Sequence, residues 1–465
     1  MLKPQPGSRT AGQVQGVGRR EGDESSAAQP GTTASGPPAK FPTSPATLAQ
    51  LSDEALIEAV QRQTFRYFWE GAHPVSGMAF DRRTVGEDVV DDRVAVGGTG
   101  FAVMAIIVAT ERGWVTREAA LERLGRMLDV LIRATCYHGA FPHFMNGATG
   151  ATIPFWRKDD AADLVETSFL FMGLLCARQY FARETPAENS LRGRITLLWE
   201  DVEWDWFTQG GRKVLYWHWS PNNGWAMDHE IHGWNECLIT YVLAASSPRY
   251  RVDPPVYHRG FASGRDFVNG REYYGIELPL GPRYGGPLFF AHYSFCGLDP
   301  RGLKDSYADY WDLNVRHVRI NHAHCVANPH GHKGYGPASW GLTSSDGPDG
   351  YSTHAPDIDD GTLSPTAALS SLPYMPAESL SAVRHFLTAH GSRVWTPFGF
   401  VDAFCERRDW FATTHLAIDQ GPIVVMMENF RSGLLWKLLM SVPDVQAGLR
   451  RLGFSSPHLG PAGGI

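Results

Sequence analysis

Six stretches of this 465-residue chain are apolar on nearly every side of a helix, and each begins at a Gly, Asp or Pro signal. They start near Gly98-Thr99-Gly100, Asp163, Asn235-Glu236, Pro287-Leu288-Phe289, Pro365-Thr366 and Gly421-Pro422. They recur about 50 to 75 residues apart, which is the signature of a repeated supersecondary unit. Between them run amphipathic segments: Asp53 to Glu70, Arg117 to Ala134, Ala187 to Phe207, a short one near 260 to 269, Leu303 to Asn321 and Ala377 to His390. A helix that is apolar all round must be buried, and one with a polar face can shield it from water. The pattern predicts an all-α fold, an (α/α)6 barrel with six inner and six outer helices. Small rim hairpins are expected at Lys213 to Met227 and Arg271 to Gly286, and the fourth pair, between 258 and 297, has the weakest pattern.

In such a ring the inner helices start on one side, so acidic residues at their starts converge on one mouth. Those starts carry Asp91 and Asp92, then Asp159, Asp163 and Glu166, then Glu236, Asp359 with Asp360, and Asp419. On a helix Asp159, Asp163 and Glu166 share a face, where like charges at three- and four-residue spacing cost roughly a few tenths of a kcal/mol per pair. Structure alone gives no motive for that, whereas acid/base chemistry does; the plain alternative is an N-cap with a solvated first turn. Glu236 enters a buried helix, where desolvation would keep it protonated near neutrality as a general acid requires. A helix-capping Glu is the alternative there, and for Asp419 a cap is as good a reading as catalysis.

Composition narrows the partner. A net charge of −7 without a basic block argues against nucleic acid. No stretch approaches the roughly 18 uninterrupted apolar residues of a membrane span. Aromatic residues are plentiful in polar, Gly-rich stretches such as Tyr216 to Trp225, where Trp217, Trp219 and Trp225 suit the flat faces of sugar rings. The six cysteines are scattered and form no CxxC, so no disulfide framework is indicated.

Residues 1–48 are rich in Gly, Ser, Pro, Gln, Ala and Thr and are expected to be a disordered tail. Residues 49–455 form the catalytic domain in this reading, and 456–465 a flexible terminus. The start shows no apolar signal segment, which points to the cytoplasm, with periplasm or secretion the alternative if the natural start lies elsewhere. His322-Ala323-His324 followed by His330-Gly331-His332 has metal-ligand residue types, but its spacing fits no zinc helix or finger. It reads as a rim loop that contacts ligand, and neither a metal nor a cofactor is expected. No GxSxG elbow, P-loop or strand-borne GxGxxG is present.

Ala162-Asp163-Leu164-Val165-Glu166-Thr167, Gly233-Trp234-Asn235-Glu236, Tyr241 to Pro248, Asp360-Gly361-Thr362 with Pro365-Thr366-Ala367-Ala368, and Ile418-Asp419-Gln420-Gly421-Pro422 occur in the order found in the bacterial glycoamylase-like domain. The chain resembles that domain, glycoside hydrolase family 144, over roughly residues 50 to 453. Phe290 to Phe295, Gly297-Leu298-Asp299, Trp340 to Thr343 and Ser345-Asp346 share the likeness. The resemblance implies an (α/α)6 barrel and an inverting hydrolase of β-1,2-glucan or its oligosaccharides, endo-acting or sophorose-releasing. It carries the acidic cluster onto Asp159, Asp163 and Glu166, the general acid onto Glu236 and the late carboxylate onto Asp419. Expected sugar contacts are Trp217, Trp219, Trp225, Trp234, His292, Tyr293, Trp340, Asp346 and Asp360. Inversion would pair Glu236 with a base, Asp163 first and Asp419 next. Alternatives are a non-catalytic glucan-binding or transglycosylating module, or an α-glucan hydrolase of glucoamylase type; a lyase on the same barrel is disfavoured because the helix starts are acidic rather than basic.

Overall fold

The computed structural model describes residues 44–87 and 91–460. The expected tail up to residue 43, and residues 461–465 of the expected flexible terminus, lie outside the described residues. Within the remainder of that tail, α1 (Pro45–Leu48) is helical and Leu48 is buried. At the other end, Leu459 is buried and His458 Nε2 lies 2.8 Å from Asp299 Oδ2.

The helices follow in chain order as α2 (Asp53–Trp69), α3 (Val96–Glu111), α4 (Arg117–Arg133), α5 (Leu164–Tyr180), α6 (Pro186–Glu200) and α7 (Leu238–Ser246). After them come α8 (Pro254–Val256), α9 (Tyr310–Ala327), α10 (Pro365–Ser370), α11 (Pro376–Ala389), α12 (Ala417–Arg431), α13 (Leu434–Met440) and α14 (Pro443–Arg451). The apolar segments are the buried ones. Val96 through Ala109 of α3, Leu164 through Ala177 of α5 and every residue of α7 and α10 are shielded from solvent. The amphipathic helices bury one stripe, such as Leu124, Met127, Leu128 and Leu131 in α4, and begin on side-chain caps that satisfy free N–H groups. Ser52, Thr116 and Thr185 do this for α2, α4 and α6.

Among the buried helices α3 packs against α5 and α12, α5 against α7, and α10 against α12. The α3–α5 contact is backbone to backbone: a Cβ on Gly100 would collide with the Phe169 carbonyl, and one on Gly173 with that of Gly100. Ile239 N of α7 donates to Ser294 Oγ at 3.0 Å, and His292 Nε2 lies 2.9 Å from Ser371 Oγ at the end of α10. The segment 288–296 thereby joins α7 to α10.

Several boundaries differ from expectation, each for a local reason. The fourth pair is not two α-helices. Pro254-Pro255 starts a three-residue helix that widens into a π turn at Tyr257–Phe261, and the expected apolar helix after it is two 3-10 turns, Leu288–Ala291 and Ser294–Cys296. The expected helix near 260 to 269 is therefore absent, and Val268–Tyr273 is instead a strand paired with Ile276–Leu280 in the rim hairpin. Residues 213–227 do not pair as a simple hairpin: Leu215–Tyr216 joins Glu230–Ile231, whereas His218–Trp219 joins Ala162–Asp163. α9 begins at Tyr310 rather than 303, because Asp309 caps it through Trp311 N and Asp312 N. The short α14, absent from the sequence reading, covers α7, with Gly448 against the Ser246 backbone. No helix among the described residues is long and apolar enough to cross a membrane.

Candidate active site

Asp163 caps α5. Its Oδ1 accepts from Val165 N at 3.0 Å, Glu166 N at 2.9 Å and the Trp217 indole N–H at 2.9 Å, and its Oδ2 lies 2.9 Å from His143 Nδ1. The pairing of Ala162–Asp163 with His218–Trp219 holds this junction in register. Burial alone would raise the Asp163 carboxyl, but the His143 hydrogen bond, the His143 and His218 charges and the Glu166 N–H hold it below the usual carboxylate range. Both oxygens are committed to donors.

His143 is the cation of this end of the site. Burial would lower its imidazole, but the Glu166 charge, the hydrogen bond to Asp163 and the Asp159 charge push it up to about 10. Phe155, itself solvent-exposed, lies over it with ring centroids 4.5 Å apart. Glu166 reaches from α5 to the first turn of α3, where its Oε2 accepts from Gly97 N at 2.6 Å. That N–H has no partner within its own helix, and the positive helix end favours the charge. Even so, burial and the neighbouring Asp163 push Glu166 up to about 7 against the pull of His143. Burial and the Asp163 charge also take Asp159 to about 7; its Oδ2 lies 3.4 Å from Nε2 of His218, an imidazole that burial drives down to about 4.

Glu236 lies two residues before α7. It does not cap that helix: the N-cap position is Cys237, whose side chain makes no capping hydrogen bond, and Asn235 Oδ1 accepts from Cys237 N at 3.0 Å; the backbone N–H that the Glu236 carboxyl meets is its own. Burial pushes the carboxyl up to about 7, and the Asp163 and Glu166 charges add to the shift. Glu236 is thus within electrostatic reach of Asp163 and Glu166.

A second carboxylate group gathers around the start of α12. Asp419 is in the first turn of that helix, with Pro422 inside it rather than opening it. The Tyr293 hydroxyl donates to Asp419 Oδ1 at 3.4 Å, and Thr366 Oγ1 to the Asp419 carbonyl at 2.7 Å. Burial, with the Asp402 charge, drives Asp419 well above its ordinary value, while burial and the Asp346 charge push Asp402 up to about 7. Either carboxyl can hydrogen-bond the other once protonated, and burial raises the proton affinity of both. Asp402 Oδ2 also accepts from Asp346 N at 2.6 Å, and Arg82 grips the Asp346 carboxylate through one nitrogen at 3.1 and 3.0 Å. Tyr351 spans the boundary: the residue is 47% exposed while its hydroxyl feels Asp419, Asp402, Asp81 and Asp346.

The structure thus brings Asp159, Glu166 and Glu236 each within electrostatic reach of Asp163, and Tyr293 feels both Asp419 and Glu236. Asp91 and Asp92 stand apart, with Arg93 and His73. Trp217, Trp219 and Trp225 are half-buried around the 215–231 strands, and Trp206, which the sequence reading passed over, packs edge-on against Trp219. Three expected sugar contacts are buried. Trp340 is fully buried, Trp234 stacks on Tyr310, and His292 is enclosed with Ser371, so their faces are taken by protein. Asp346 is bound to Arg82, and Asp360 lies on the surface beside His354 at 3.6 Å. The residues missed, His143 and Asp402, each interrupt an apolar run, Phe141 to Met145 and Phe400 to Phe404. An ionisable residue set among buried neighbours was the available signal.

The Glycoamylase family model, described as a glucoamylase, matches residues 228–443. The chain is 43% identical over 428 residues to the exo β-1,2-glucooligosaccharide sophorohydrolase (non-reducing end) of Parabacteroides distasonis, over 88% of this chain and 59% of that relative. It thus spans less than two thirds of that relative's length. The endo-β-1,2-glucanase of Chitinophaga pinensis, solved with sophorotriose and glucose, superposes with a TM-score of 0.86 at 51% identity, over 88% of this chain and all of that one. A β-1,2-glucanase of Parabacteroides distasonis superposes at 0.84 with 43% identity, over 87% of this chain and 60% of that one.

Proposed function

The chain belongs to the glycoamylase-like family, glycoside hydrolase family 144, and on that premise we propose that it is an inverting hydrolase of β-1,2-glucan or its oligosaccharides built on an (α/α)6 barrel. The barrel reading is supported by the sequence of contacts from α3 through α5, α7, the 288–296 turns, α10 and α12 back to α3. The observation that carries the reaction is the Glu236 carboxyl, held at about 7 by burial, within electrostatic reach of Asp163 and Glu166 and not capping its own helix. A general acid works best with a pKa near the operating pH.

In this reading Glu236 protonates the glycosidic oxygen as the bond to the anomeric carbon breaks. A second carboxylate takes a proton from the attacking water on the opposite face of the sugar. The Asp402–Asp419 pair suits that second role better than Asp163, whose oxygens already accept from three N–H groups and His143. The ionised member of the pair has a raised pKa and is the stronger proton acceptor. Asp163 then acts by fixing His143 and the start of α5. Tyr351, Phe155 and the half-buried tryptophans supply faces and hydroxyls for the glucose units.

The test is a screen of purified protein against linear β-1,2-glucan, sophorose oligomers, laminarin, cellulose and starch, with product anomers followed by NMR. Short β-1,2-linked products released as the α-anomer are expected. Release of glucose from starch with β-1,2-glucan untouched would overturn the substrate, and initial β-anomer would overturn inversion. The product lengths from the same assay separate internal cleavage from release of sophorose at a chain end.

A further inference from the structure

Where three loops meet at the C-terminal end of α9, we propose a binding site for one divalent metal ion of the zinc type, held by His324, His330, His332 and Asp359. His324 is in the last turn of α9, and its Nε2 lies 2.8 Å from Asp359 Oδ2. The ligand atoms of His324, His330 and Asp359 all lie within 4.8 Å of one another. Tetrahedral zinc with bonds of about 2.0–2.1 Å sets its ligand atoms roughly 3.4 Å apart, so a side-chain adjustment of about an ångström brings these three onto one ion. His332 is the independent observation. Its side chain is 5% exposed, its Nε2 points to within 3.4 Å of Asp359 Oδ1, and that nitrogen has no hydrogen-bond partner. A buried nitrogen left without a partner is costly, and a metal ion satisfies its lone pair.

The surroundings are those of a ligand shell rather than of a lone ion pair. The Tyr274 hydroxyl sits 2.8 Å from His324 Nδ1, which leaves Nε2 as the ligand nitrogen, and the Tyr335 hydroxyl donates to Asp359 Oδ1 at 2.7 Å. Such outer partners orient ligating rings and carboxylates. Asn328 ends α9 in a left-handed conformation, donates to the His332 carbonyl at 2.9 Å and accepts from His332 N at 2.7 Å. That turn presents His330 and His332 on one side, their ring centroids 5.7 Å apart, with His330 6.1 Å from His324. Three imidazoles and one carboxylate suit zinc and its neighbours and do not suit magnesium or calcium. His322, by contrast, faces the Pro337 carbonyl at 3.0 Å and is no part of the set. The ion would tie the 268–280 hairpin, through Tyr274, to the 328–336 and 355–361 loops, and the site shares no residue with the acidic cluster.

The test uses the full chain stripped with EDTA and titrated with ZnCl2 by calorimetry, with Co(II) absorbance as a second probe. One equivalent per chain is expected, with visible Co(II) bands and a rise in thermal midpoint on adding zinc. His330→Ala removes an exposed ring and so spares the fold, and His332→Gln keeps size and polarity; each should weaken zinc by at least about tenfold and abolish the stabilisation. No binding to the stripped protein, or unchanged affinity in both variants, overturns the site. So does loss of binding in His143→Ala with His330→Ala unaffected, which would move the ion to the group formed by His143, Asp159 and Asp163.

Discussion

At the scale of single residues, Glu236 carries the clearest expectations. Replacing it with Gln keeps shape and removes the proton, so turnover on β-1,2-glucan should fall by about 10²- to 10⁴-fold. Its folded pKa, about 7 against an ordinary 4.5, means the folded protein holds a proton that the unfolded chain releases. The Glu236 contribution to stability is therefore greatest below 4.5 and declines as pH rises to about 7. Glu236→Gln should then melt no lower than the parent at pH 8, and thermal scans beside rate assays check both halves. The kcat/KM profile of the parent should fall on the alkaline side with a midpoint near 7, as the acid loses its proton. Asp163→Ala acts differently. It removes a helix cap worth about 0.5–2 kcal/mol and takes away the hydrogen-bonded partner of a charged imidazole. A lower melting temperature is expected, together with a fall of the His143 pKa from about 10, read by NMR titration.

At the scale of elements, the position of the acids depends on how closely α3 and α5 approach. Gly173 and Gly100 let the two backbones touch, so Gly173→Ala must separate the helices or strain them. Overpacking of this kind costs about 1–3 kcal/mol, which urea unfolding would measure. Gly97→Ala probes the same contact nearer the site. A Cβ there would stand 2.6 Å from Glu166 Oε2, so the carboxylate must leave the N–H it now accepts from. The buried helices were legible because burial on all sides is written in local periodicity. The fourth pair was not, since Pro254-Pro255 and the Gly285-Gly286-Pro287 break leave only short turns whose packing is set by α7 and α9.

At the scale of the whole described domain, the first and last long helices fasten to each other. Arg431 at the end of α12 bonds Glu54, Glu58 and Gln61 of α2, and Gln61 Nε2 reaches the Val424 carbonyl at 2.9 Å. Arg112 at the end of α3 makes a two-point contact with Glu428, both bonds at 2.8 Å. The Arg431 side chain is only 7% exposed, and Arg431→Ala leaves the partly buried Glu58 and the buried Gln61 without their donor, whereas Glu54 is mostly exposed. A loss of about 1–3 kcal/mol is expected. Denaturant unfolding should show one shifted cooperative transition, and retention of the parent midpoint would mean that the ends are not coupled through this residue.

What the sequence determined by itself was local in origin. The periodicity of six apolar segments marked which helices are buried. The Asp163-to-Glu166 cluster marked an acidic helix start, and the ordered motifs marked the family. Tertiary structure decided which charges meet. Asp402 joins Asp419 across 17 positions of chain, His143 joins Asp163 across 20, and Asp359 joins His324 across 35. Proton affinities follow from these neighbours and from burial, neither of which a local window contains. The same reason left the burial of Trp234 and Trp340 unread. An indole has one sequence signature whether its faces meet sugar or, as at these two positions, the side chains of other helices.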